Sequence, residues 1–397
     1  MAVPKLRFKE FKNEWNEINF KKLLSFKNGI NSDKDSYGHG IKYISVVDIL
    51  NNIYITYDKI KGFVDINDKT LKENSVEYGD IVFQRSSETF NDIGQANVYL
   101  DKEKIATFGG FVIRGKKIGN YNPLFFNYLL KSPCNRKKII VKGAGAQHYN
   151  ISQEELEKIS VNFTNMDEQE KIGDFLTVLD KKLDLQQRKI EALKIYKKGL
   201  LYKTFIKCSV NCKIKDLLIL GKSGGTPKST NADYYNGNIP FLSITDMTFQ
   251  GKYIKQTEKH ISNLGLENSS AWLLPVNTLI LSMYASYGLV SINKIKLSTS
   301  QAMFNMIFKE NINVEYIYYY LNYLKETHFY EELVSTGTQS NLNADKVKNI
   351  SIYLPNKTEQ NRISKLFNVL DKKIESQENN LHSLIMLKKS LLQQMFI

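Results

Sequence analysis

Cysteine is scarce in this chain, with Cys134, Cys208 and Cys212 as the only three among 397 residues. An odd number excludes a fully paired disulfide framework, and a lone C-x3-C lacks the second pair that completes a tetrahedral zinc site. The three read as ordinary reduced thiols. Histidine is nearly as rare: His39, His148, His260, His328 and His382 are scattered, and none sits in an H-E-x-x-H metal motif. No G-x-G-x-x-G opens a helix, and no G-x-S-x-G marks a nucleophile. The "GKS" at Gly221 fails as a phosphate loop because Asp216 stands where the motif needs its first glycine. No apolar run approaches the roughly 18 residues that span a bilayer, and the opening "MAVPKLRFKEFKNEW" lacks the apolar core of a signal peptide. The expectation is a cytoplasmic protein with no membrane partner, no metal site and no catalytic constellation.

What the chain has in excess is positive charge. Fifty-five Lys and Arg against 41 Asp and Glu leave a net +14 and a pI near 9.3. A basic folded protein of this size generally meets a polyanion, and nucleic acid is the first candidate. Hydrophobic residues make up 42% and aromatics 12%, enough to fill cores. The length exceeds the roughly 250 residues a single core holds, so two or more domains are expected.

The sequence repeats itself. "LDKKLDLQQRKIEALKIYKKGLLYKTF" from Leu179 returns as "LDKKIESQENNLHSLIMLKKSLLQQMF" from Leu370. One constant offset also pairs Glu168-Gln169 with Glu359-Gln360, Ile159 with Ile350, and Phe205 with Phe396. Upstream the agreement thins, although "IKYISVVDI" at Ile41 still matches "IPFLSITDM" at Ile239, and "FKKLLSF" at Phe20 matches "IKDLLIL" at Ile214. The chain is therefore two units, each a variable globular part followed by a well-kept helix. Alternating steps of three and four pick out a seam in the first helix: Leu176, Leu179, Leu183, Gln186, Ile190, Leu193, Lys197 and Leu200. The second copy gives Phe367, Leu370, Ile374, Gln377, Leu381, Leu384, Lys388 and Leu391. The same two polar interruptions stand in the same places, which points to a coiled coil in which the helices pair with each other. In an antiparallel pair Gln186 falls beside Lys388, and Gln377 beside Lys197.

The globular parts read as mixed α and β. Runs such as "KYISVVDI", "DIVFQRS", "TLILSMY" and "NISIYLP" have strand character, while "NPLFFNYLLKS" and "VEYIYYYLNYLKE" have helical periodicity. Between them lie loops rich in Gly, Ser, Thr and Asn that carry cations. Backbone amides, Lys and Ser suit phosphates, and Arg, Gln and Asn can read base edges. The candidate DNA contacts are Lys34, Arg85, Ser86, Ser87, Lys142, Gln147 and His148 in the first unit. In the second they are Lys222, Thr226, Lys228, Ser282, Tyr284, Gln339, Ser340 and Asn341.

Four motifs in fixed order carry a family likeness: "GGTP" from Gly224 to Pro227, "GTQSNLN" from Gly337 to Asn343, Pro355 with Glu359, Gln360 and Ile363, and "LDKKI" leading the last helix. With them the chain resembles the specificity subunit of type I DNA restriction-modification complexes over essentially its whole length. The first unit departs from the pattern, with "FKNGINSDK" from Phe26 in place of "GGTP" and Thr164 near the position of Pro355. The resemblance implies an α+β fold: two tandem target recognition domains separated by two long helices that form an antiparallel coiled coil, pseudo-twofold and pseudo-cyclic. The first recognition domain would occupy 1–155 and the first spacer 156–206, its helix running from about 167. The second domain would occupy 207–345 and the second spacer 346–397, its helix running from about 358. Such a subunit binds double-stranded DNA as a split target and has no catalysis or cofactor of its own. S-adenosylmethionine, ATP and Mg would belong to partner subunits, two methyltransferase subunits and the restriction and translocase subunits. A non-catalytic nucleic-acid-binding or scaffold protein that self-associates through its coiled coil is the alternative at this point.

Overall fold

The structure, a computed structural model, describes residues 3–145, 148–284, 286–335 and 342–397. Two matched stretches show how the sequence works locally. A strand (Tyr37–Ile44; Ile239–Leu242) runs into a serine whose N–H donates to the aspartate three residues on, Ser45 to Asp48 at 2.8 Å and Ser243 to Asp246 at 2.9 Å. This reciprocal cap starts a short helix, Val46–Asn51 in one case and Ile244–Gln250 in the other. The β-branched run of "KYISVVDI" argued for one unbroken strand, and the cap overrides it.

The chain divides into two units, residues 1–188 with 379–397, and residues 189–378. In the first, the strands Leu24–Asn28, Val112–Lys117, Ile81–Gln84 and Ala96–Val98 form an antiparallel sheet in that order. A second sheet sets Tyr37–Ile44 between Gly62–Val64 and the parallel strand Thr107–Phe108. The helix Pro123–Lys131 is capped by Asn122, whose side chain accepts from Phe125 N at 3.0 Å. Its Phe125, Phe126 and Leu129 join Phe20, Phe83, Val98 and Ile113 in the main core, and Leu176 and Leu391 from the long helices, with Phe396 just past the second, complete it.

The second unit repeats this plan by itself. Leu218–Ser223, Met303–Phe308, Leu279–Ser282 and Val290–Asn293 stand in the same antiparallel order, and Tyr253–Ile254 adds a parallel edge. Ile239–Leu242 sits between Lys259–Ile261 and the parallel Ser298–Thr299. The helix Val314–Glu326, capped by Asn313, buries Tyr316, Tyr319 and Tyr320 against Leu279, Phe304 and Met306, with Phe205, Ile363 and Phe367 from the long helices.

The long helices are Met166–Phe205 and Lys357–Gln394. Each is unbroken, and the unit boundary falls inside both. Within the second unit Lys194 pairs with Glu378 at 2.6 Å and Lys197 with Asp371 at 2.5 Å, so the helix segments there run antiparallel. Within the first unit Leu176 and Leu179 share a core with Leu384, Leu391 and Met395, again antiparallel. Every seam residue named above is buried or half-buried. Toward the end of the first helix the buried stripe drifts to Leu201 and Phe205, as a 3.6-residue turn drifts from a 3.5-residue repeat. The seam lysines correct one expectation. Lys388 binds Asp180 and Lys197 binds Asp371, each at 2.5 Å, where the sequence had matched them with Gln186 and Gln377. A half-buried ammonium takes the full charge of a carboxylate over an amide dipole.

Candidate nucleic-acid interface

The site begins with how each unit holds its helix, Pro123–Lys131 or Val314–Glu326, on the long helix beside it. Gln169 accepts from Asn122 N at 2.9 Å and donates to the Thr164 carbonyl at 2.7 Å. Gln360 does the same with Asn313 N at 2.8 Å and the Pro355 carbonyl at 2.9 Å. Both amides are buried, and a buried amide needs both partners. This explains the repeated Gln, and Thr164 supplies the same carbonyl as Pro355 despite the departure in sequence. A second tie follows in each unit: Tyr128 donates to Asp180 at 2.7 Å, and Tyr319 to Asp371 at 2.5 Å. Burial, with the neighbouring aspartate, pushes both phenols well above the usual tyrosine range.

A half-buried lysine lies beside each tie. Lys131 donates to the Ile53 carbonyl at 2.8 Å, and burial, aided by Lys388 and opposed by Asp180, lowers its amine to about 7. Lys252 donates to Tyr319 Oη at 2.9 Å and to Asn368, with Glu315 at 3.7 Å. Burial lowers it to about 8 in spite of Glu315 and Asp371.

Beyond this frame, the loops at the strand ends converge within each unit. In the first, Arg85 N donates to the Phe111 carbonyl at 2.8 Å and Arg85 Nη1 to the Gly110 carbonyl at 3.2 Å. Ser86–Ser87 pairs with Tyr149–Asn150, and the Ser86 hydroxyl bonds Asn150. Exposed His148 and half-buried Lys142 lie on the same loop, Lys142 tied to Glu155 at 3.4 Å. Lys34 stands exposed in the turn Lys34–Ser36. Ser87 is turned inward, its hydroxyl accepting from Thr89 N at 3.1 Å.

In the second unit Gly224 and Gly225 lie where no side chain fits, since a Cβ on Gly224 would come 2.1 Å from the Thr299 carbonyl. Gly29 plays the same part in the first unit, its Cβ falling 2.0 Å from the Gly109 carbonyl, so "FKNGINSDK" retains the glycine that matters. Thr226 bonds the exposed Gln301, Lys222 and Lys228 are exposed, and Tyr284 follows Met283, whose N–H donates to the Ala302 carbonyl at 2.7 Å. Ser282 departs from its expected surface role. It is fully buried, giving its hydroxyl to the Ser286 carbonyl at 2.6 Å and accepting from Leu289 N at 3.0 Å, and so staples its own loop. Gln147, Gln339, Ser340 and Asn341 lie outside the described residues. Sequence reading missed Gln301, Asn31 and Phe111, which is 68% exposed beside Arg85. An aromatic next to a Gly-Gly pair was the available signal. Among the described residues no cluster of His, Cys, Asp and Glu is placed to hold a metal, and no helix is long and apolar enough to cross a membrane.

The family described as type I restriction modification DNA specificity domain matches residues 12–194 and again 209–384. The type I restriction enzyme MjaIX specificity subunit of Methanocaldococcus jannaschii is 27% identical over 186 residues, 47% of this chain and 43% of that subunit, so the chain spans less than half of that relative. The MjaX specificity subunit of the same organism is 23% identical over 96% of this chain and 93% of its own length. The crystal structure of a type I restriction-modification S subunit from M. genitalium has the same fold, with a TM-score of 0.60 and 18% identity over 100% of this chain and 99% of that one.

Proposed function

Because the chain belongs to the type I restriction-modification DNA specificity family, we propose that it is the subunit that selects the DNA sequence for such a complex, each unit reading one half of a bipartite double-stranded target. One observation carries this reading. Both units have the same strand order and the same buried ties to the spacer, yet present different side chains at the tip: Gly110 and Phe111 in one, Gln301 and Ala302 in the other. A common frame under dissimilar reading edges suits two different half-sites.

The long helices supply the docking surface for methyltransferase subunits, one per unit. Support comes from apolar residues left exposed at matched repeat positions: Phe175 and Leu366, Val178 and Val369, Ile195 and Met386, Tyr196 and Leu387. Apolar groups kept in water at both copies of a repeat suit a partner that binds twice. Methyl transfer, and the S-adenosylmethionine, ATP and Mg that the complex consumes, then belong to those methyltransferase and the restriction and translocase subunits, in the cytoplasm.

Co-expression with the methyltransferase subunit tests the proposal. A stoichiometric complex should copurify, and sequencing of methylated adenines in the host should return one split motif. Exchanging the loops of a single unit should change one half of that motif. A chain that purifies alone as a stable homodimer, or a host whose methylation pattern does not depend on this chain, would overturn it.

A further inference from the structure

The tips of the two units carry the same functional group on different loops. In the second unit a turn runs from Ser300 to Met303, closed by Met303 N donating to the Ser300 carbonyl at 3.2 Å, and Gln301 projects from it. The Thr226 hydroxyl donates to Gln301 Oε1, which fixes the direction of the carboxamide and leaves Nε2 and the second lone pair of Oε1 outward. In the first unit the equivalent turn is closed by Val112 N donating to the Gly109 carbonyl at 2.8 Å. Glycine at position 110 offers no side chain there. The space is taken from the facing loop, where the residue equivalent to Thr226 is Asn31: a Cβ on Gly110 would lie 1.9 Å from Asn31 Oδ1. The register is set by Gly29 N to the Val112 carbonyl and Gly224 N to the Met303 carbonyl, both 3.1 Å. Asn31 and Gln301 are both exposed.

A carboxamide stands at this junction in both units, reached from opposite loops: from Asn31 over Gly110 in the first and from Gln301 against Thr226 in the second. Its donor and acceptor, side by side, match N7 and the N6 amino group of adenine in the major groove, and no other base offers that pair. We infer that Asn31 and Gln301 each read an adenine, one in each half of the target. The inference rests on the DNA-reading function proposed above. Phe111, beside the first carboxamide, is the apolar neighbour that keeps water from the contact.

The test uses the full chain in its complex with the co-expressed methyltransferase, and cognate duplexes in which each adenine in turn is replaced by 7-deazaadenine, which lacks the N7 acceptor. Wild type should lose about tenfold in affinity at one adenine per half-site. Asn31→Ala should abolish that sensitivity in one half only, and Gln301→Ala in the other only. Thr226→Val, which keeps Gln301 but frees its orientation, should weaken discrimination in the Gln301 half and leave the other half intact. Sensitivity that persists in both alanine variants, or no sensitive adenine in wild type, would overturn the inference while wild type still preferred cognate over scrambled half-sites. Equal binding to scrambled half-sites would instead bring down the DNA-reading function itself.

Discussion

Replacing Lys131 with Met should stabilise the first unit, and replacing Lys252 with Met should destabilise the second. The two amines look alike in burial and differ in company. Lys131 donates to the neutral Ile53 carbonyl at 2.8 Å and has a like charge nearby in Lys388. The unfolded chain keeps the Lys131 proton up to about 10.5, whereas the folded amine sheds it near 7. The folded state therefore carries the full deficit below pH 7, and the deficit shrinks as pH rises to 10.5, so this group makes stability rise with pH across that window. At full strength the shift corresponds to about 5 kcal/mol. At pH 7.5, after discounting for partial exposure and for about 1 kcal/mol of lost hydrogen bond, about 1 to 2 kcal/mol should be recovered by Met. For a unit of this size that is roughly 2 to 8 °C in Tm. Lys252→Met instead removes the ammonium that faces Glu315 and bonds Asn368, leaving the half-buried Glu315 with only the neutral donors Tyr253 and Asn368, and should cost about 1 to 3 kcal/mol. The tryptophans separate the readouts, because Trp15 belongs to the first unit and Trp272 to the second, so a Trp→Phe background at either reports the other by fluorescence. The gain from Lys131→Met should fade as melts are repeated from pH 7 to pH 10. A gain that does not change with pH, or a loss matching that of Lys252→Met, would refute the argument.

Gln360→Ala leaves Asn313 N and the Pro355 carbonyl without their partner and should cost about 2 to 4 kcal/mol, read as an early Trp272 transition with Trp15 unaffected. Arg7→Ala strands the fully buried Glu168, which Arg7 holds through two bonds of 2.6 and 2.7 Å, and should cost about 3 to 5 kcal/mol in urea melts followed at Trp15. Arg85→Ala should relax sequence choice by about 1 to 3 kcal/mol in one half-site only, as measured by competition binding with half-site variants. Lys228→Ala should weaken binding to every sequence alike and reduce the salt slope by about one ion, seen by titration between 50 and 200 mM salt, values chosen as a roughly physiological range.

Much of the frame was legible because it repeats. The Gln of Glu-Gln and the LDKK aspartate are kept in both copies since each has a fixed partner, Asn122 and Tyr128 in one unit and Asn313 and Tyr319 in the other, and the seam lysine pairs with that aspartate. The partner of the seam lysine was not legible. A 3,4 pattern locates the stripe facing the other helix, and Asp180 lies one position beyond it, on the face turned toward Tyr128. The tip was harder still. Asn31 and Gln301 come from opposite loops, so no alignment of one copy on the other pairs them; only the backbone register at Gly29 and Gly224 does. Ser282 misled for the opposite reason, since a serine after a strand looks the same in sequence whether its hydroxyl faces water or the next turn.

The unit boundary that falls inside both long helices also orders events in time. Residues 189–378 form a contiguous stretch, and the whole second unit is synthesised before residue 379. The first unit, although most of it is made first, lacks residues 379–397 until the whole second unit has been synthesised. For the roughly 10 to 40 s that about 190 further residues take to synthesise, Trp15, Phe125 and Leu176 wait without the Leu391, Met395 and Phe396 that later cover them. A nonsense codon just after residue 378 therefore damages the amino-terminal unit and spares the one encoded nearer to it, and the need for a chaperone or a partner during synthesis falls on the half of the protein that is born first.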